Sequence, residues 1–201
     1  YGTTGSIKQT GGAVNNEGNL SIHGSYTMNN NSTFKAKFGN LLTVTEKATL
    51  DGTLDLYDEI QDGLIKETGS KSTVLRAGEL SGTFDTVTSS NALFSIIKTE
   101  YSGTVGTDGK TTPDATTKTD VVVSAKRNKL TNMGSGSNAS IGRRMVEQNI
   151  DKVLSELDTK DDAGTLTTNE KAFAIGFANK MSMATNKSLL NTSGTPAVIG
   201  D

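Results

Sequence analysis

The sequence predicts an all-β chain: the end of a right-handed parallel β-helix (a solenoid) closed by a capping β-hairpin, followed by a short α-helical segment. Three observations carry this expectation. In Leu42–Leu56, LTVTEKATLDGTLDL, every odd position is polar and every even position except Glu46 is apolar or glycine. Period 2 marks a sheet with one buried face, whereas a helix would scatter the same residues round its circumference. An apolar-x-Gly-x-apolar unit recurs at Ile22-His23-Gly24-Ser25-Tyr26, Leu50-Asp51-Gly52-Thr53-Leu54 and Leu80-Ser81-Gly82-Thr83-Phe84, at intervals of 28 and then 30 residues. Self-similarity at that period is the signature of stacked coils, and the unequal interval implies loops inserted between rungs. The composition agrees: 33% hydrophobic, 5% aromatic, 22 Gly and 2 Pro suit many short strands round a narrow core.

The elements follow in order. From Gly18 to Met28 the even positions Leu20, Ile22, Gly24, Tyr26 and Met28 form the inward row. Asn29–Thr33 is a polar corner whose side chains can satisfy backbone groups. Phe34, Ala36 and Phe38 resume the buried face opposite Lys35 and Lys37, and Gly39-Asn40 turns the chain. The central stretch outruns an ordinary strand of about 5–6 residues, so corners are expected at Glu46-Lys47 and Asp51-Gly52. Residues 57–69 read as a charged loop. Val74, Leu75 and Ala77 open one strand, Leu80 to Phe84 a second and Leu93 to Ile97 a third. Apolar residues of both parities in the third (Phe94, Ile96, Ile97) predict a strand covered on two faces. A polar loop with Pro113 at its tip leads to Val121–Val123, and Ile96–Tyr101 with Val121–Ala125 form the closing hairpin.

After Arg127 the composition changes. Met133–Ser140 reads as a Gly/Ser/Asn linker. Ile141, Met145, Val146, Ile150, Val153, Leu154 and Leu157 then recur at helical spacing, with Asn138 or Ser140 as the cap and Asp158–Gly164 as the end. Thr167-Thr168-Asn169-Glu170 is a capping box for a second helix with Phe173, Ile175, Phe177, Met181 and Ala184 on its apolar side. Asn191–Asp201 reads as loop. Three segments result: terminal β-helix rungs (1–56), a cap (57–128), and a linker with helices (129–201).

Chemistry finds little footing. The one histidine, His23, has the outward parity between Ser21 and Ser25, and no Gly-x-Ser-x-Gly elbow or phosphate-binding glycine loop occurs. Asp108, Asp114 and Asp120 lack the spacing of a calcium loop, and the acidic run Asp55, Asp58, Glu59 and Asp62 reads as a solvated loop. Met133, Met145, Met181 and Met183 read as helix packing. No catalytic residue, cofactor or metal is assigned. A net charge of −2 without a basic block offers no electrostatic case for nucleic acid. The absence of cysteine is explained either by chance or by a protein that stays threadable through an oxidising compartment. No apolar run reaches the about 20 residues of a membrane-spanning helix. Tyr1 opens within strand-like sequence, so the chain is expected to be a fragment of a longer one.

Four segments, GNLSIHGSYTMNNNSTF (18–34), LLTVTEKATLDGTLDL (41–56), STVLRAGELSGTF (72–84) and DVVVSAKRN (120–128), resemble the C-terminal passenger region of type Va autotransporters, the autochaperone segment in particular. RRMVEQNIDKVLSELD (143–158) is similar to the helix that precedes the translocator barrel in that family. The likeness spans roughly residues 11–190. It departs from the family in two ways: the Asn-Asn cleavage helix of the serine-protease members is not evident, and the barrel is absent.

The resemblance implies a non-enzymatic module at the surface or outer membrane of a Gram-negative bacterium, kept there or released. It would nucleate folding of the passenger β-helix and support its export. The implied partners are the upstream passenger coil and the downstream barrel of the same chain, with the outer-membrane barrel-assembly machinery. The physical requirement is an end more stable than its neighbours, since a lone rung buries too little apolar surface to offset the ordering of its backbone. The expected folding nucleus is Leu42, Val44, Leu50, Gly52, Leu54 and Leu56, then Leu80, Gly82 and Phe84, with Phe94 and Ile96. The alternative reading is an adhesin stalk whose outward Thr/Asn/Ser ladders bind a host surface ligand. A β-helical lyase or hydrolase is disfavoured, because the outward parity offers mostly Thr and Ser.

Overall fold

A computed structural model describes residues 2–60, 65–91, 93–103, 117–132 and 141–184. The linker 133–140, the Pro113 loop with Asp108 and Asp114, Asp62, and the tail 191–201 lie outside the described residues. The chain is mostly β with two helices. The strands are β1 Gly2–Thr4, β2 Ile7–Lys8, β3 Gly12–Asn16, β4 Ser21–His23, β5 Tyr26–Thr27 and β6 Ser32–Phe38. They continue with β7 Leu42–Leu50, β8 Thr53–Ile60, β9 Ser70–Gly82, β10 Thr86–Ser89, β11 Phe94–Ser102 and β12 Lys118–Arg127. A 3₁₀ turn at Leu130–Asn132, α1 Ile141–Asp162 and α2 Thr168–Ala184 complete it.

Contacts divide the chain into two compact units that interleave along the sequence: Tyr1–Tyr57 with Lys71–Ser89 and Ile96–Ser124, and Asp58–Ser70 with Ser90–Ser95 and Ala125–Asp201. In the first unit, one sheet runs β1-β4-β7-β9-β12-β11, joined by β2 through β5, and another runs β10-β8-β6-β3. Successive strands stack in parallel: Thr3, Ile22, Val44 and Ala77 share one column, and Tyr26, Ala48 and Leu80 share another. In the second sheet Val14 faces Phe34, and Leu54 faces Val87. The inward members form one cluster from Ile22 and Tyr26 to Val121 and Val123.

The central stretch breaks at both expected corners. Glu46 and Lys47 are exposed where the β7–β9 register shifts, and Asp51-Gly52 separates β7 from β8, which lies in the other sheet. Four expectations change. Tyr57–Ile60, expected to open a charged loop, extend strand β8. The strands expected from Val74 and from Leu80 to Phe84 are one, β9, which ends at Gly82. Strand β10 escaped notice because Val87 is its only apolar residue; its pairing with β8 makes it a strand. β11 is not covered on both faces: Ile97 is 49% exposed and Ile96 half-buried. β11 and β12 do pair as a hairpin. Asn128 N–H donates to the Leu93 carbonyl at 2.7 Å and Thr119 Oγ1 reaches the Ser102 carbonyl, so the two run antiparallel.

The second unit carries the helices. The capping box forms: Glu170 N–H donates to Thr167 Oγ1 (3.2 Å) and Thr167 N–H to Glu170 Oε1 (3.1 Å). α1 ends at Gly164 with the paired bonds of a Schellman motif, Thr165 N–H to Lys160 and Gly164 N–H to Asp161. The buried faces differ from those expected. α1 buries Arg143, Glu147, Leu154, Leu157 and Asp158 while Ile141, Met145, Val146 and Val153 are exposed. α2 buries Ala174 and Ala178, leaves Phe173 56% exposed, and keeps Phe177 half-buried. Small residues let α2 approach Leu154 and Leu157 closely, which is why the alanines face inward. The side chains of Met181 and Ala184 lie outside the described residues.

Candidate folding nucleus

The two motif glycines of the nucleus are explained by backbone proximity. Gly52 has φ +65°, and a Cβ there would lie 2.2 Å from the Ser32 carbonyl oxygen; Gly82 has φ +72°, with Leu50 O at 2.5 Å. Each stands where the backbone of another strand passes closest, so both the left-handed backbone and the missing side chain are required. Asp51 Oδ1 accepts the Gly52 N–H at 2.8 Å, fixing the corner. Leu42, Val44, Leu50, Leu54 and Leu56 are all buried in the cluster, as are Leu80 and Phe84, with Ile96 packed against it. Phe34 and Phe84 meet at 6.5 Å between ring centres. The structure does not gather Phe94 with them: Phe94 is buried but belongs to the second unit.

Two polar features of this core were not anticipated. Tyr26, fully buried, donates its hydroxyl to Gln9 Oε1, while Gln9 Nε2 donates to the carbonyls of Gly12 (2.8 Å) and Thr33 (3.1 Å). Ser32 Oγ donates to the Gln9 carbonyl at 3.0 Å. Burial pushes the Tyr26 phenol far above its ordinary value. The available signal was Tyr26 itself, since a tyrosine in an inward row needs a partner for its hydroxyl. At the cap, Tyr101 accepts the Phe84 N–H at 2.9 Å, and burial raises its phenol too.

In the second unit the unanticipated feature is a polar stripe on α1: Asp151, Ser155, Asp158 and Asp162, at i, i+4, i+7 and i+11. Asp151 accepts the backbone N–H groups of Leu130 (2.8 Å) and Thr131 (3.2 Å). Asp158 forms a bidentate pair with Arg127, both bonds 2.9 Å, and accepts the Glu67 N–H at 3.0 Å. Arg127 also donates to the Ile65 carbonyl at 3.0 Å. Lys66 Nζ lies 2.9 Å from Asp161 and 2.6 Å from Asp162, which raise its pKa, Asp162 most. Partial burial pushes the Glu67 carboxyl up, but hydrogen bonds from Lys129 and Ser155 outweigh it and hold it below the usual range.

His23 is exposed on its strand, and no group of three or more metal-ligating side chains occurs among the described residues. Compared with family models, with curated proteins and with solved structures, the chain matches none.

Proposed function

We propose that this chain is the terminal, self-stabilising end of a right-handed parallel β-helix and acts as a non-enzymatic autochaperone. In this reading it folds first, templates the coil upstream of it, and supports export of an autotransporter passenger across the outer membrane of a Gram-negative bacterium. The observation that carries the proposal is the in-register parallel stacking of β1, β4, β7 and β9, with the β11–β12 hairpin at the far edge of the same sheet.

Deleting residues 40–128 from the full-length parent should leave the passenger stalled in export or protease-sensitive, read by surface proteolysis; normal secretion and folding would overturn the proposal. The alternative, an adhesin stalk, draws on outward columns such as Ser21–Thr43 and Thr27–Thr49–Ser81. Direct binding of the isolated chain to host cells would favour it.

A further inference from the structure

The larger sheet ends in β11, nine residues flanked on one side only among the described strands. An uncovered edge of that length is a template for another strand unless something opposes pairing. An edge that repels its own kind carries like charges, so that a copy meets repulsion. β11 carries Lys98 and Glu100 instead, with Lys98 Nζ 2.6 Å from Glu100 and Lys71 Nζ 3.6 Å from it. Ile97 beside Lys98 is the one large hydrophobic side chain of the first unit that is exposed among the described residues.

We propose that two copies of the chain pair antiparallel along β11 about a two-fold axis at Thr99. That symmetry sets Lys98 opposite the second copy's Glu100 and Glu100 opposite the second copy's Lys98. It sets the two Thr99 backbones opposite each other and lays Ile97 beside the second copy's Tyr101. Opposite charges and aromatic–β-branched pairs directly across an antiparallel ladder are favourable cross-strand combinations. The interface is self-complementary, as a closed two-fold contact has to be. A shift of the axis by one residue would place Lys98 or Glu100 opposite its own kind, so the charges also select the register.

Sedimentation of the full chain across the micromolar range tests this with Lys98→Glu, Glu100→Lys and the double exchange. Each single exchange creates two like-charged pairs and should weaken the dimer by about tenfold or more. The double exchange restores both pairs and should recover it. Backbone amides of residues 95–102 should gain protection from hydrogen exchange as concentration rises. The side chains changed are exposed, so the fold should persist in every variant. A chain that stays monomeric throughout overturns the proposal. So does a dimer indifferent to the exchanges, as one built on the exposed apolar side of α1 would be, and so does assembly beyond two copies.

Discussion

The sheets of the first unit and the helices of the second are held by different forces. In the sheets the inward rows are largely apolar, and among the buried polar groups Gln9, Tyr26 and Ser32 satisfy one another. In the helical unit, Leu154 and Leu157 of α1 pack against Ala174 of α2, while its bonds to segment 65–67 and to residues 127–131 run through Asp151, Ser155, Asp158 and Asp162. The sheets are thus stabilised by area removed from water, and the seat of α1 by geometry among charges. The first kind of contact degrades gradually when a side chain shrinks. The second fails abruptly when one partner is lost, because the other stays buried and uncompensated.

The sharpest way to break this contrast is at the Arg127–Asp158 pair. Asp158→Ala should destabilise the helical unit by about 3–5 kcal/mol in chemical denaturation, while Arg127→Met with Asp158→Leu should recover most of it. If the single and double variants are equally unstable, the pair is not what seats α1. Leu54→Ala, in the fully buried row, should cost the sheets about 2–5 kcal/mol and leave helical hydrogen-exchange protection unchanged. Tyr101→Phe strands the Phe84 N–H and should cost about 1–3 kcal/mol, confined to the first unit. Thr167→Ala removes the α2 cap for about 1 kcal/mol, read as fraying of the first turn of α2.

Titration should sharpen the same comparison. Glu67 and Glu170, both in the helical unit, are held below their ordinary values; for Glu170 the cause is chiefly its bond with Lys160. A carboxylate depressed in the folded state contributes stability above its unfolded pKa, and the contribution is lost as pH falls through the folded value. The helical unit should therefore loosen on acidification below the ordinary glutamate range. Tyr26 and Tyr101 act in the opposite direction. Raised phenols contribute below their unfolded pKa near 10.0, and the sheets of the first unit should weaken as pH rises beyond it. Monitoring helix and strand amides separately by hydrogen exchange distinguishes the two limbs.

Much of the sheet region was legible because alternation reports burial directly. Where Leu42–Leu56 is apolar at even positions it is buried, and where Glu46 interrupts the row the strand bulges. The capping box was legible for a similar reason, since both of its partners lie within one turn of chain. The face of α1 was legible only at Leu154 and Leu157, which are buried against α2. Hydropathy points to Ile141, Met145 and Val153, yet these are exposed, and the stripe that binds is acidic. Its partners lie at Glu67 and Arg127, far away in sequence, and nothing near Asp158 announces them. β10 was missed because its pairing with β8, not its own residues, makes it a strand.

The sequence by itself determined the side-chain period, the positions of the corners, the caps and the glycines that let one stretch of backbone pass close to another. Each of these depends on residues adjacent in the chain or on the steric limits of a single residue. Only the tertiary structure decided which strands stack on which, that the inward tyrosine meets Gln9, and that α1 turns its carboxylates rather than its valines inward. Those outcomes depend on which distant groups arrive at the same place, and a buried charge is tolerated only where an opposite charge is brought to meet it.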